Sequence, residues 1–98
     1  MIQIKNYING LSISKSNNLL DVFDPSKGEK ISEVFLSNKD DFDLCIDSSQ
    51  KAFELWSNIT PLKRSRIISK FKENIEKNIE TLAKLISTEH GKTLEDAK

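Results

Sequence analysis

The sequence is poor in cysteine and has no long apolar run, and each shortage excludes a class of protein. Its single cysteine, Cys45, excludes an intrachain disulfide and a cysteine-based zinc site, and it is compatible with a reducing compartment. No apolar run approaches the roughly 20 residues that span a bilayer. The N-terminus has no basic segment followed by an apolar core, so we expect no secretory signal. These absences predict a cytoplasmic protein without a membrane partner.

An excess of charge of one sign is also missing. The 98 residues have a formal net charge of +0, and 37% of them are hydrophobic and 31% charged, which is typical of a globular domain. Residues 1–60 carry six basic and nine acidic side chains, and residues 61–98 carry nine and six. Because this asymmetry is mild, we expect no nucleic-acid partner.

The glycine pattern of a phosphate-binding loop is absent, although the chain contains Gly91-Lys92-Thr93. Such a loop needs a second glycine five positions before the first of these residues, where this chain has Ile86. The chain also has no glycine-rich dinucleotide fingerprint. Since a helical pattern precedes Gly91, this residue is predicted to end a helix in the left-handed conformation.

Residues 1–36 favour β-hairpins. Asn9-Gly10 stands between two short apolar runs, which is a strong hairpin signal. Strands are predicted at residues 19–23 and 30–36, with Pro25 and Gly28 in the turn between them. Hairpins of this size need a helix layer or another sheet for stability.

Residues 38–98 favour three amphipathic helices and the start of a fourth. Ser37 or Asn38 is expected to cap the first helix, and Thr60 the second, with Pro61 in its first turn. A third helix is predicted from Ile79 to the stop at Gly91, and Thr93 is expected to cap a fourth. The predicted buried positions are Phe42, Cys45, Ile46, Ser49, Ala52, Phe53 and Trp56 in the first helix, and Leu62, Ile67, Ile68, Phe71 and Ile75 in the second.

Several residues have chemistry that could serve a site, but each has a structural explanation. Cys45 lies among apolar residues, where a cysteine acts as a small buried hydrophobe. His90 lies in a last helical turn, where its charge is favourable. Trp56 is expected in the core, and the basic segment 62–72 is expected to be the solvated face of a helix. Asp40, Asp41, Asp43 and Asp47 lack the spacing of a calcium loop. The residues alone therefore identify no catalytic and no cofactor-binding site.

Five segments, in this order, resemble the N-terminus of an aldehyde dehydrogenase. They are YING (7–10), VFDPSKGEKISEV (22–34), AFELW (52–56), PLKRSRIISKF (61–71) and EHGKTLEDA (89–97). Together they most resemble the CoA-acylating methylmalonate-semialdehyde dehydrogenase branch. One departure is Asp24, where the family usually has Asn before Pro, and it keeps the turn chemistry.

The resemblance implies an α/β fold in which residues 1–98 form an incomplete outer part of a Rossmann-like NAD-binding domain. Enzymes of this branch are homo-oligomers that oxidise methylmalonate or malonate semialdehyde in valine and thymine catabolism. They use NAD and a cysteine nucleophile, and they pass the resulting thioester to CoA. The catalytic cysteine and the NAD-contacting residues of the family correspond to positions beyond 98.

The resemblance therefore assigns no catalytic residue to this chain and predicts that it binds neither NAD nor CoA alone. The chain is expected to be a truncated N-terminal fragment, inactive by itself. Its expected partner is the remainder of the dehydrogenase chain or a homologous subunit. The alternative is a small standalone helical module that binds another protein.

The resemblance also implies a site for a monovalent cation. The backbone oxygen of Val22 and the carboxylate of Glu89 occupy the corresponding positions, and oxygen ligands suit a hard cation. The alternative for Glu89 is an ordinary side chain that faces solvent.

Overall fold

The computed structural model describes all residues from Met1 to Lys98 as five strands and four helices. The strands are β1 (Ile2–Ile4), β2 (Asn6–Ile8), β3 (Leu11–Ile13), β4 (Leu19–Asp24) and β5 (Glu29–Phe35), and the helices are α1 (Lys39–Trp56), α2 (Pro61–Lys77), α3 (Ile79–His90) and α4 (Leu94–Ala97). This order confirms the α/β class. None of the helices is both long and apolar enough to cross a bilayer.

The chain divides into two compact units. The first unit contains residues 1–23 and 30–57, and the second contains residues 24–29 and 58–98. The first unit therefore holds helix α1 and most of the strand residues, and the second holds the other three helices.

The hairpin of β2 and β3 forms where the sequence predicts it. The strands pair antiparallel, with Asn6 opposite Ile13 and Ile8 opposite Leu11. Asn9 and Gly10 have φ values of 51° and 74°, so the two-residue turn lies in the left-handed region that these residue types tolerate. The Asn-Gly signal is confirmed at both turn positions.

A three-stranded sheet contains a strand that the sequence analysis missed. Its order is β1-β5-β4, and β1 runs parallel to β5 with Ile2 opposite Ser32 and Ile4 opposite Val34. Residues 1–36 therefore contain a parallel pairing besides the predicted hairpins. Strand β1 has three residues, too few to show an alternating pattern, and its partner lies about thirty residues away in sequence.

The turn between β4 and β5 follows the predicted chemistry. The Asp24 backbone oxygen accepts hydrogen bonds from the N–H groups of Lys27 at 3.3 Å and Gly28 at 2.7 Å. The Asp24 side chain accepts a third bond from the Ser26 N–H at 2.8 Å. Asp24 is buried, and Gly28 has a φ of 70°. Asp before Pro25 thus supports the turn as an Asn would.

Asp41 ties the start of α1 to the loop that follows β3. Its carboxylate accepts hydrogen bonds from the backbone N–H groups of Lys15 at 2.7 Å and Asn38 at 3.0 Å. The Asn38 side chain in turn accepts from the Asp41 N–H at 3.1 Å, which completes a capping box. Asp41 is only 2% exposed, and the N–H donors of Lys15 and Asn38 hold the pKa of its carboxyl below the usual value.

Helix α1 has apolar residues on two sides, and most of the stripe predicted to be buried is exposed. Leu44 and Leu55, outside the predicted stripe, line a groove of about 400 Å³ with Ala52 of the stripe and with residues of β2 and β3. Leu44 is half-buried there, whereas Leu55 is 76% exposed. Phe42 and Phe53, on the side predicted to be buried, are 63% and 68% exposed. Residues of the hairpin line grooves with both sides of α1, and most of the predicted stripe nevertheless stays exposed.

Helix α2 begins as predicted but buries none of its side chains. Thr60 caps it by accepting a hydrogen bond from the Lys63 N–H at 3.3 Å, and Pro61 occupies its first turn. Phe71 is 62% exposed, so the expected burial of the α2 apolar residues is wrong. Ala83 of α3 is the buried hydrophobic residue of the chain.

Helix α3 ends at Gly91 and is followed at once by α4. Gly91 has a φ of 78° and donates its N–H to the Ser87 oxygen at 2.9 Å, as a helix-ending glycine does. The Ser87 hydroxyl donates to the Lys92 oxygen at 2.6 Å. Thr93 caps α4 by accepting from the Asp96 N–H at 3.3 Å. The Gly91-Lys92-Thr93 run is therefore a helix stop and a helix start.

Replacing the α1 cap should destabilise the first unit. We expect Asn38→Ala to lower the free energy of unfolding by about 1 kcal/mol, because the Asp41 N–H loses its acceptor. Urea unfolding followed by far-ultraviolet circular dichroism measures the change. Gln50→Ala, on the exposed part of α1, is the control and should change little. Equal effects of the two substitutions would contradict the role of the cap.

Acid should remove the contribution of Asp41 to stability. Because the folded pKa is lowered, this contribution is fully present above the unfolded pKa of about 3.9 and is lost as pH falls through the folded pKa. We expect Asp41→Asn to be less stable at neutral pH and to lose less stability below about pH 4. An acid titration of helix content measures both effects. Asp40→Asn, at an exposed position, should keep the acid profile of the unsubstituted chain.

A side chain at Gly91 should weaken the end of α3. Gly91→Ala places a Cβ at a φ of 78° and should cost about 1 kcal/mol of unfolding free energy. Gly91→Asn should cost less, because Asn tolerates the left-handed region better. Urea midpoints of the two variants measure the difference. If Ala were tolerated as well as Asn, the left-handed helix stop would be wrong.

Candidate functional site

Cys45 is exposed on α1, so its prediction as a buried hydrophobe is wrong. It lines a shallow groove of about 300 Å³ with Phe42 and residues of β2. Its backbone oxygen accepts a hydrogen bond from the Ser49 hydroxyl at 2.8 Å. A nucleophilic thiolate needs positive neighbours, whereas α1 carries five acidic and two basic side chains.

His90 and Trp56 both lie at helix ends. His90 is exposed in the last turn of α3, directly before Gly91, where a positive charge is favourable. Trp56 is the last residue of α1 and is half-buried. Both positions are explained by the helix ends that these residues occupy.

The acidic residues of α1 are used within the helix itself. Asp43 pairs with Lys39 at 2.7 Å and Asp47 with Lys51 at 3.0 Å, both at i, i+4 spacing. Such exposed pairs stabilise a helix by only a few tenths of a kcal/mol, about 0.2–0.5. Asp41 serves the capping box instead.

The suggested cation ligands lie in different compact units. Val22 is half-buried on β4 in the first unit, and Glu89 is exposed in the last turn of α3 in the second. The chain contains no group of three or more His, Cys, Asp or Glu side chains that could hold a metal ion. The shared role of Val22 and Glu89 stays a prediction.

Two exposed apolar surfaces are the most distinctive functional features of the chain. The α1 surface consists of Phe42, Cys45, Ile46 and Phe53, and the α2 surface consists of Arg64, Ile67, Ile68 and Phe71. All of these residues are exposed except Arg64, which is half-buried. Contiguous exposed apolar side chains mark a surface that packs against another protein segment. The chemistry of both surfaces suits docking.

The basic residues of segment 62–72 are exposed except Arg64, and the apolar residues Ile67, Ile68 and Phe71 are exposed as well. Arg64 is the one residue there with a distinct environment, because its Nε is shielded from solvent and has no hydrogen-bond partner. By its charge, Arg64 is predicted to lie with the other basic residues of 62–72 on an outer face. Its i, i+3 and i, i+4 spacing to Ile67 and Ile68 could have placed it on the apolar side.

The model of the aldehyde dehydrogenase family matches residues 12–98. A malonate-semialdehyde dehydrogenase from Pseudomonas aeruginosa is 43% identical over 90 residues, which is 92% of this chain and 18% of that relative. The acylating methylmalonate-semialdehyde dehydrogenase of Arabidopsis thaliana mitochondria is 38% identical over 96 residues, or 97% of this chain and 16% of that protein.

Solved structures agree with the sequence matches. Methylmalonate-semialdehyde dehydrogenase from Oceanimonas doudoroffii superposes with a TM-score of 0.95 at 35% identity, over 99% of this chain and 20% of that one. A protein from Sinorhizobium meliloti 1021, crystallised in complex with NAD, gives a TM-score of 0.95 at 31% identity with the same coverage.

The chain thus spans about one fifth of the length of the relatives that it matches. Its fold corresponds to the N-terminal part of their structures and forms an incomplete domain. The resemblance carried by the five sequence segments is confirmed: the chain belongs to the aldehyde dehydrogenase family.

Proposed function

We propose that this chain is the N-terminal part of an NAD-dependent dehydrogenase that oxidises malonate or methylmalonate semialdehyde and transfers the acyl group to CoA. The main support is that relatives with these activities in their names match 92% or more of the chain. One of them is described as acylating, and NAD is bound in one similar structure. The reducing cytoplasm, in which Cys45 would stay a free thiol, is the proposed compartment.

In this enzyme the chain contributes structure to the NAD-binding domain, and the remainder supplies the chemistry. Covalent aldehyde oxidation needs an activated thiolate and a site that stabilises the oxyanion. Cys45 is exposed on an acidic helix, and His90 lies at the end of α3. When bound, NAD would accept the hydride, and this chain would hold no atom of it.

The proposed partner is the remainder of the dehydrogenase chain or a homologous subunit. The observation that supports it is the pair of uncovered surfaces on α1 and α2. In a complete domain such residues are the ones that usually become buried. Packing them would supply the stability that the small core around Ala83 does not give.

A standalone module that binds another protein is the second candidate. It is favoured by the well-formed caps at Asn38, Thr60 and Thr93, which stabilise helices without help from other segments. Cooperative unfolding of a monodisperse chain would support it. An oligomeric chain without a cooperative transition would count against it.

The purified 98-residue chain should have no dehydrogenase activity. With malonate semialdehyde, NAD and CoA, we expect no increase in NADH absorbance, because the catalytic cysteine of the family corresponds to a position beyond residue 98. The complete Pseudomonas aeruginosa relative is the positive control under the same conditions. Turnover by the chain alone would overturn this part of the proposal.

Polar substitution on the α1 surface should be tolerated by the isolated chain. We expect Phe53→Ser to change the free energy of unfolding by no more than about 0.5 kcal/mol, because Phe53 is already in water. Ala83→Leu, at the buried position of α3, should lower it by about 1–3 kcal/mol through overpacking. Urea unfolding of both variants provides the test. A large loss for Phe53→Ser would mean that the α1 surface is packed within the chain.

A further inference from the structure

The α2 surface contains a hydrogen-bond donor that nothing in the chain uses. Arg64 precedes Ile67 and Ile68 by three and four residues, so the three side chains share one side of α2. Ile67, Ile68 and Phe71 are exposed, while Arg64 is half-buried. The Arg64 Nε is shielded from water and has no acceptor. A charged group therefore lies in an apolar patch without a partner for one of its donors.

This arrangement is unfavourable in the isolated chain. An arginine guanidinium stays protonated and has donors only. Removing one N–H from water without supplying an acceptor costs free energy, and most buried polar side-chain atoms in proteins have a partner. In this chain, the Arg64 Nε is the one side-chain nitrogen or oxygen that is shielded from solvent and has no hydrogen-bond partner. An acceptor supplied by another protein segment would satisfy this donor.

The two carboxylates on α2 are not placed to fill this role. Glu76 pairs with Lys72 at 3.7 Å. Glu73 lies nine residues after Arg64, which puts it on the opposite side of the helix. Helix α2 as a whole carries six basic and two acidic side chains, so its charge favours an acidic partner.

We propose that the α2 surface is the docking site of the absent part of the dehydrogenase, and that this part presents a carboxylate to Arg64 within an apolar patch. The proposal rests on the function proposed above, in which about four fifths of the enzyme lies outside this chain. An arginine and a carboxylate form a planar two-bond pair that fixes orientation as well as affinity. Ile68 and Phe71 would supply the apolar contacts around it.

Arg64 can form such a pair from its half-buried position. Its long side chain has several rotatable bonds, so the Nε edge of the guanidinium can turn toward an arriving carboxylate. The exposed apolar neighbours would then exclude water from the new pair, which strengthens it relative to a surface ion pair. Docking would thereby give the Arg64 Nε an acceptor and make Arg64 a central contact of the interface.

Co-expression with a truncated relative tests the proposal. The full 98-residue chain is tagged and produced together with the Pseudomonas aeruginosa malonate-semialdehyde dehydrogenase from which the N-terminal stretch that matches this chain has been deleted. Co-purification, the dissociation constant and NAD-dependent turnover are measured for the unsubstituted chain and for Arg64→Met, Arg64→Lys and Lys70→Met. Lys70→Met is the matched control, because Lys70 is an exposed basic residue of the same helix.

The unsubstituted chain should bind and restore turnover. Arg64→Met should weaken binding at least about tenfold, Arg64→Lys should weaken it less, and Lys70→Met should stay within about twofold. Circular dichroism of isolated Arg64→Met should show unchanged or slightly higher stability, because an unsatisfied donor has been removed. That result separates lost docking from lost folding.

Two outcomes would overturn the proposal in different ways. If the unsubstituted chain restores turnover and Arg64→Met binds as well as Lys70→Met, the pairing of Arg64 is wrong while the proposed function stands. If the unsubstituted chain neither binds nor restores turnover, and forms instead a dimer that Arg64→Met disrupts, the occupant of the α2 surface is a second copy. Both the proposed function and the docking of the absent part then fail.

Discussion

The carboxylate of Asp41 holds the first compact unit together at the point where a strand loop and a helix meet. It accepts hydrogen bonds from the backbone N–H groups of Lys15, which precedes strand β4, and Asn38, which follows strand β5. This pairing fixes the start of α1 next to the β2–β3 hairpin. Phe42 and Phe53 of α1 stay largely exposed in this arrangement.

The balance between apolar surface and cover explains the state of the whole chain. A chain of about 100 residues buries less of its surface than a larger domain, and here the buried hydrophobic core is Ala83. The apolar residues of the α1 and α2 surfaces recur at helical spacing but stay largely exposed. Membership of a family whose proteins are about five times longer gives this imbalance a physical reason.

Local chemistry made many turns and helix ends predictable from the sequence, whereas the burial of side chains was not predictable. Asn9-Gly10, Pro61 and Gly91 each set backbone angles within a few residues, so the sequence identified their turn and helix ends correctly. The parallel pairing of β1 with β5 depends on contact between distant segments and was missed. Family motifs indicated the family of the protein, while the prediction that Val22 and Glu89 share a cation depends on distances that no motif contains.

The sequence by itself determined where elements begin and end, because caps, turns and helical periodicity act over a few residues. It also determined the family, because five segments in order are specific. Only the tertiary structure decided how far each side of α1 is exposed, that Cys45 is exposed, and that the Arg64 Nε is shielded without an acceptor. Periodicity shows that a side chain belongs to an apolar face. Whether that face is covered depends on which other segments are present to pack against it.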